Sequence, residues 1–153
     1  MSRGRPRKRV PEAYKTMRSS LEQHVAYRLD ELGVTWEYEK YILEYRKPIR
    51  KAVCGECEST DVYAIRQYTP DFWLPDYRCY LEVKGKFGQV DRMKMRYVVD
   101  QHPDEDIRMI FSRNNLIGRK AQTDTRYIDY CNQYGMSACV LENMTKEWLE
   151  CPE

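Results

Sequence analysis

The stretch Tyr68–Gly85 carries acidic side chains where a buried strand normally has none. Asp71 opens one short run of strand-forming residues, and Glu82 and Lys84 lie in a second run. The dipeptide Pro75-Asp76 between the runs predicts a turn, and the two runs therefore predict an antiparallel hairpin. Alternate side chains of a strand share a face. Glu82 and Lys84 are therefore expected on one face, within reach of Asp71, while the other face is apolar and predicted to face a core.

This trio suits metal-dependent hydrolysis. Two carboxylates at close range repel each other unless they are protonated or bridged by a cation, and hard oxygen ligands favour Mg²⁺. Lys84 can assist a water nucleophile or stabilise developing negative charge, and beside a metal cluster we expect its pKa to be lowered. The alternative is a hairpin with a polar outer face and a surface pair of Glu82 and Lys84. Spacing alone does not decide between the two hypotheses.

The size and composition indicate one globular domain. The chain has 153 residues, of which 33% are charged and 42% are hydrophobic, as is usual for a globular protein with its own core. It contains no apolar run of membrane-spanning length, and its first residues lack the apolar segment of a secretory signal. We therefore expect a cytoplasmic protein without a membrane partner, whose six cysteines are thiols or metal ligands.

The first residues form a basic arm. Residues 1–20 contain seven basic residues and one acidic residue, whereas the whole chain has a net charge of only +2. We predict that residues 1–17 are disordered, and the segment around Gly4-Arg5-Pro6 is similar to an AT-hook, which lies in the DNA minor groove. A general solubilising or targeting tail is the alternative. A later polar loop is a second candidate for phosphate contacts. The predicted DNA-contacting residues are Arg3, Arg5, Arg7, Lys8, Arg9, Arg113, Arg119 and Lys120.

Cys54-Gly55-Glu56-Cys57 is half of a possible zinc site. A tetrahedral zinc site needs two such pairs, and no second pair follows at the usual spacing. A tight turn with two spare thiols is therefore the favoured interpretation, with a zinc pair completed by a second subunit as the alternative.

The remaining pattern predicts an α/β domain with a mixed sheet. We expect a helix from Ser19 or Ser20 to Gly33, where Ser19-x-x-Glu22 fits a capping box and gives Glu22 a structural role. Strands are expected at 34–42, 43–49 and 62–67, before the hairpin, and at 106–112 and 137–141. Helices are expected at 89–101, with Val90, Met93, Tyr97 and Val98 buried, from about 124 to Gly135, and after Thr145.

The order of several short motifs resembles the phage endonuclease I family, within the PD-(D/E)xK nuclease superfamily. Pro70-Asp71 followed by Glu82-x-Lys84 is the superfamily pattern. The further matching segments, which together span about Met17 to Pro152, are Arg18–Glu22, Trp36–Glu39, Tyr68–Phe72, Leu81–Gly85, Gln101–Arg108 and Glu147–Trp148.

The resemblance implies a restriction-endonuclease-like fold and a Mg²⁺-dependent nuclease that resolves four-way (Holliday) DNA junctions as an intertwined homodimer. Mn²⁺ is expected to substitute for Mg²⁺, and the protein would act in the host cell cytoplasm if a phage encodes it. Asp71, Glu82 and Lys84 match the catalytic motif, and Glu22 matches a fourth catalytic position supplied by the partner subunit. Asp71, Glu82 and Glu22 are thereby implied as the metal ligands.

Two departures from the family pattern bear on this hypothesis. The hairpin connection is slightly longer than usual, and the segment around Cys54–Cys57 is an insertion near residues 50–60, in the connection that bridges the subunits of the family dimer. The insertion puts the exchange in question. Two other functions remain open, namely another PD-(D/E)xK nuclease of restriction or nicking type, and a DNA-binding architectural protein without catalysis.

Overall fold

The computed structural model describes residues 11–49, 55–56, 62–118 and 124–152. Several predicted functional residues lie outside these ranges: Arg3, Arg5, Arg7, Lys8, Arg9, Arg119 and Lys120 of the proposed DNA contacts, and the cysteines Cys54 and Cys57. The folded part extends at least to Pro11, because Glu12–Tyr14 form a 3₁₀ turn and Met17 packs into the core.

Among the described residues, four helices and seven strands follow one another in this order: α1 (Ser20–Glu31), β1 (Glu37–Tyr38), β2 (Leu43–Pro48), β3 (Tyr63–Tyr68), β4 (Phe72–Leu74), β5 (Cys79–Lys84), α2 (Gln89–Gln101), β6 (Asp106–Phe111), α3 (Tyr127–Gln133), β7 (Ser137–Val140) and α4 (Lys146–Glu150). A second 3₁₀ turn covers Leu141–Asn143. Within the described ranges, no helix is long and apolar enough to cross a membrane.

The main sheet has five strands in the order β1-β4-β5-β6-β7. The pairs β1–β4 and β4–β5 are antiparallel, whereas β5–β6 and β6–β7 are parallel. The parallel pairs are connected through α2 and α3, because parallel neighbours need a crossover connection. The structure confirms the predicted α/β class with a mixed sheet, and β4–β5 is the predicted hairpin.

Both faces of β5 are covered, which places its one acid, Glu82, in the interior. Cys79, Leu81 and Val83 pack on one side with residues of α1, as predicted. Tyr80 belongs to a second core on the other side, built with α2 and α3. Glu82 is only 3% exposed. The alternative of a polar outer face with a surface ion pair is therefore wrong, because the crossover helices cover that face.

α1 begins and ends where the sequence predicts. The Ser19 hydroxyl accepts a hydrogen bond from the Glu22 backbone N–H at 3.1 Å, which satisfies one of the unpaired donors of the first turn. The helix ends before Gly33, whose φ of +69° favours glycine. Leu21, Val25 and Leu29 form the buried stripe of the helix.

α2 has the predicted bounds, and Val98 is buried as predicted, but the rest of its buried face differs. Val90 is 79% exposed, and the helix buries Met95 and Val98. The 3.6-residue period allows several overlapping apolar faces in this helix. Packing against the sheet selects the face with Met95, which leaves Val90 in solvent.

The predicted strand at 34–42 is shortened to Glu37–Tyr38. Glu39 adopts φ +45°, which ends the strand because extended backbone has a negative φ. The Glu39 backbone N–H then donates to the Asp71 carbonyl at 3.0 Å. The early part of the chain is thereby tied to the start of the hairpin.

β2 and β3 form a separate two-stranded ribbon beside the main sheet. Their antiparallel register runs from Leu43 opposite Tyr68 to Pro48 opposite Tyr63. Beyond it, the Ile49 N–H donates to the Val62 carbonyl at 2.8 Å. The two segments that flank residues 50–61 therefore lie antiparallel to each other within one chain.

The two valines of α2 give a matched test of its orientation. We expect Val98→Ala to lower the free energy of unfolding by about 2 kcal/mol, because it removes two buried methyl groups and leaves a cavity. Val90→Ala should change it by no more than about 0.5 kcal/mol, because the side chain is in solvent. Denaturant titration measures both values. Equal losses for the two variants would contradict this orientation.

Candidate active site

The hairpin places Asp71 against Glu82. Phe72 pairs with Leu81 in the β4–β5 register. Asp71 and Glu82 are the next residues along, so they lie opposite each other and their side chains share a face. The Val83 backbone N–H donates to Asp71 Oδ2 at 2.7 Å, which fixes the direction of this carboxylate.

Glu82 lies in the middle of β5 and is held by a buried tyrosine. The Tyr68 hydroxyl donates to Glu82 Oε2 at 2.7 Å, and both side chains are buried. Lys84 Nζ lies 3.4 Å from the other oxygen, Oε1. Each carboxylate oxygen of Glu82 therefore faces a donor, as a buried acid requires.

Burial and mutual repulsion disfavour ionisation of both acids. The pKa of Asp71 is raised to about 8, first by burial and then by the Glu82 carboxylate, against the hydrogen bond from Val83. Burial also raises the pKa of Glu82, while Lys84 and the Tyr68 hydroxyl oppose that rise. Two acids with raised pKa values at one position indicate a site that a cation would stabilise.

Lys84 is held between two carboxylates. Its Nζ lies 3.4 Å from Glu82 Oε1 and 3.4 Å from Asp91 Oδ1. Burial lowers the pKa of Lys84, but Glu82 and Asp91 outweigh burial and the net pKa is raised. The lowered lysine pKa expected beside a bound metal remains a prediction, because this raised pKa describes the metal-free site. The side chain is an ammonium group at neutral pH.

Sequence reasoning missed Asp91 as a neighbour of the trio. It lies in the first turn of α2, where an acid has an ordinary role because it interacts favourably with the helix dipole. The available signal was the short spacing along the sequence. Only the four residues Gly85–Gly88 separate β5 from α2, so the first turn of α2 must lie close to the end of β5 and to Lys84.

Glu22 approaches Asp71 from the first turn of α1. It is 7% exposed, and its Oε1 and Oε2 accept from the Ser19 hydroxyl at 2.9 Å and the Tyr38 hydroxyl at 2.5 Å. Its charge contributes to the raised pKa of Asp71. Glu22 therefore takes part in the helix cap and also lies beside the hairpin, in one and the same chain.

Asp71 and Glu82 have the chemistry of a magnesium site. Mg²⁺ is commonly held by one or two carboxylates, with water or phosphate completing its shell. In the part of the chain that the structure describes, no three His, Cys, Asp or Glu side chains gather into a group that could hold a metal ion. The role of Glu22 as a third metal ligand remains a prediction.

Of the predicted phosphate-contacting loop, Arg113 is described. It is exposed and follows β6 by two residues. Lys84 at the end of β5 pairs with Phe111 at the end of β6, so Arg113 emerges at the same edge of the sheet as the lysine. The carboxyl ends of parallel strands commonly form binding sites.

The comparisons with known proteins agree with this arrangement. The family model described as phage endonuclease I matches residues 3–152. The chain belongs to the phage endonuclease I family. It is 30% identical to endonuclease I of Escherichia phage T7 over 136 residues, which cover 89% of this chain and 80% of that protein. It is 32% identical to endodeoxyribonuclease 1 of Enterobacteria phage T3 over 122 residues, which cover 80% and 70% of the two chains.

Membership of the phage endonuclease I family makes the chain an enzyme of the nuclease class. The matched segment includes every element of the described fold, from α1 to α4. The acid pair, Lys84 and Glu22 therefore lie in the part of the chain that the family shares.

The repulsion between the acids predicts that Asp71→Asn stabilises the metal-free protein. Asparagine keeps an acceptor for the Val83 N–H but has no charge. The pKa of Asp71 is higher in the folded protein, at about 8, than in the unfolded chain. The folded state is therefore fully stable below the pKa of the unfolded chain, and it loses stability as the pH rises from that value through the folded-state pKa. At pH 8.5 we expect the variant to be more stable by about 1–2 kcal/mol, with the difference vanishing near pH 4.

Urea unfolding in EDTA at several pH values measures this difference. Asp100→Asn, at an exposed position of α2, is the matched control and should show no such pH dependence. An Asp71→Asn variant that is less stable than the parent at pH 8.5 would show that repulsion does not dominate at this site.

Proposed function

We propose that this chain is a Mg²⁺-dependent, structure-selective endodeoxyribonuclease that cleaves branched DNA and resolves four-way (Holliday) junctions by phosphodiester hydrolysis. The observation that carries the proposal is the convergence of Asp71, Glu82 and Lys84 at one edge of the sheet, in a member of the phage endonuclease I family. The T7 and T3 relatives are named as an endonuclease and an endodeoxyribonuclease, which supports DNA as the substrate.

In this proposal Asp71 and Glu82 hold Mg²⁺ or Mn²⁺, and Glu22 supports a second ion or its water. The chemistry supplied by such an ion is a lowered pKa of bound water and neutralisation of charge on the phosphate. The hydrogen bonds from Val83 to Asp71 and from Tyr68 to Glu82 keep the two acids oriented. Zinc at Cys54 and Cys57 remains a separate prediction.

Lys84 acts as a cation in this mechanism. Because its pKa is raised, its ammonium group is suited to orient the attacking water and to stabilise negative charge that develops on the phosphate oxygens. Proton abstraction by Lys84 would first require loss of its own proton, which Glu82 and Asp91 disfavour.

DNA would be held mainly through its phosphates. The basic arm, with Arg3, Arg5, Arg7, Lys8 and Arg9, and the loop with Arg113, Arg119 and Lys120 are the proposed contacts. Such contacts position DNA without reading its sequence. Selectivity for branches would then come from the geometry of two copies of the chain, each of which holds helical arms of the junction.

The intertwined homodimer remains a prediction from the family resemblance. One chain can bring Glu22 to Asp71, and its β2 and β3 pair with each other. An exchanged dimer could make the same contacts between chains. The insertion near residues 50–60 bears on which arrangement forms.

The direct test uses a four-way junction and a linear duplex of matched sequence, each with Mg²⁺ and with EDTA. We expect Mg²⁺-dependent cutting of the junction and little cutting of the duplex. Lys84→Ala and Glu22→Ala should abolish cutting and leave junction binding intact. Lys146→Ala, an exposed lysine of α4, is the matched control.

The other outcomes separate the competing functions. Equal cutting of junction and duplex would indicate another PD-(D/E)xK nuclease of restriction or nicking type. Binding without any Mg²⁺-dependent cutting would indicate an architectural DNA-binding protein. Normal cutting by Glu22→Ala would leave Glu22 as a helix cap only.

Mixed subunits test the exchange. Glu22→Ala and Lys84→Ala chains, each inactive alone, are unfolded together and refolded. In an exchanged dimer one of the two sites receives both native residues, so we expect cutting to return. If every site is built from one chain, each site lacks one group and the mixture stays inactive. Cutting by refolded parent protein is the control.

A further inference from the structure

A groove lies between β2 and α2, beside the candidate active site. Its volume is about 370 Å³, within the range of roughly 300–1,000 Å³ that is usual for small-ligand sites. We call it the flank groove. The residues that matter for its chemistry are Tyr45, Lys47, Val90, Lys94 and Tyr97.

The flank groove adjoins the candidate active site through Lys94. The Lys94 ammonium lies 5.3 Å from the centre of the Tyr68 ring, and the Tyr68 hydroxyl holds Glu82 at 2.7 Å. At the other end of the same helical turn, Asp91 contacts Lys84. A ligand in the flank groove would therefore lie one side chain away from the catalytic trio.

The lining combines apolar surface with positive charge. Val90, Tyr97 and Tyr45 supply apolar and aromatic area, and Val90 is 79% exposed. Lys47 and Lys94 supply two cations, and none of the lining residues is acidic. A flat, partly apolar ring joined to an anion fits such a lining. A nucleotide has that composition, and proteins bind single-stranded nucleic acid with aromatic residues and cations of this kind.

We propose that the flank groove binds one unstacked nucleotide of the DNA strand that is cut, with the base against Val90 and Tyr97 and its phosphate at Lys47 and Lys94. The proposal rests on the proposed nuclease function. It also supplies a reason for branch selectivity within each chain. Extruding a base from an intact duplex costs a few kcal/mol of stacking and pairing, and the cost is least where pairing is already disturbed.

The charge of the groove favours this occupant over a second copy of the chain. An interface between copies would have to bury Lys47 and Lys94 against an opposing acid, and buried unpaired charges are strongly unfavourable. Phosphate provides that negative charge without a specific partner residue. The adjoining catalytic acids then face the next phosphate of the same strand.

Photo-crosslinking tests the placement directly. A four-way junction with 5-iododeoxyuridine at single positions beside the cut bond is bound to the protein, with Ca²⁺ in place of Mg²⁺ to limit cutting. We expect crosslinks to peptides that contain Tyr97 or Tyr45 from one position only, and none from the same base in an intact duplex. Crosslinks that map exclusively outside α2 and β2 would overturn the proposal.

Two variants with matched controls test the energetics. Val90→Asp should weaken junction binding on the order of tenfold through lost base contact and added repulsion, whereas Ile42→Asp, at an exposed aliphatic outside the groove, should not. Lys47→Ala should reduce the slope of log affinity against log salt by about 0.9, and Lys146→Ala should leave it unchanged. Parent-like binding by both groove variants would overturn the proposal.

The outcomes distinguish this inference from the nuclease function. If the parent protein cuts junctions while the groove variants bind and cut like the parent, the groove proposal fails and the nuclease function stands. If the parent cuts no DNA, the nuclease function itself fails. If Val90→Asp converts a dimer into monomers in sedimentation, the groove is a contact between copies and the nucleotide proposal is wrong.

Discussion

The repulsion between Asp71 and Glu82 is the constraint on which the rest of the structure depends. Two carboxylates in the interior would each cost several kcal/mol without compensation. Every donor around them reduces that cost: the Val83 N–H, the Tyr68 hydroxyl and the Lys84 ammonium. The compensation is incomplete, because the pKa values of both acids remain raised. A cation bound between the two carboxylates would offset the remaining free-energy cost of their repulsion and burial. Binding of that cation would therefore stabilise the folded state.

Such a site needs a rigid support, and β5 provides it. The strand lies between β4 and β6, with one core on each face. A surface hairpin could relax by turning its acids apart, whereas a strand packed on both faces cannot rotate its side chains without disturbing Leu81 or Tyr80. Burial thus has two effects. It raises the pKa values of the acids, and it prevents the movement that would relieve them.

Much of this arrangement followed from local sequence signals. The hairpin, the cap of α1 at Ser19 and the bounds of α2 are local features, because turn residues and periodicity determine them. The burial of Glu82, the exposure of Val90 and the raised pKa of Lys84 were not predictable in the same way. Each depends on which helix covers which face of the sheet, and Lys84 in particular depends on Asp91, which reaches it only after the chain has folded back. Periodicity gives the possible faces of an element, while tertiary packing selects one of them.

Glu22 shows how the chain joins its two parts. Residues 50–61 separate the two parts of the chain. The first part contains Glu22, α1 and β1, and the second part contains the acid pair. The two parts meet through the Tyr38 ring, which packs against Phe72, and through the pairing of β1 with β4. These contacts are identical whether the parts come from one chain or from two, so they stabilise the site equally in both arrangements. A difference between the two arrangements must therefore come from elsewhere, and connection length is one general source, since a longer connection closes within one chain at little additional entropic cost, whereas a short one favours exchange.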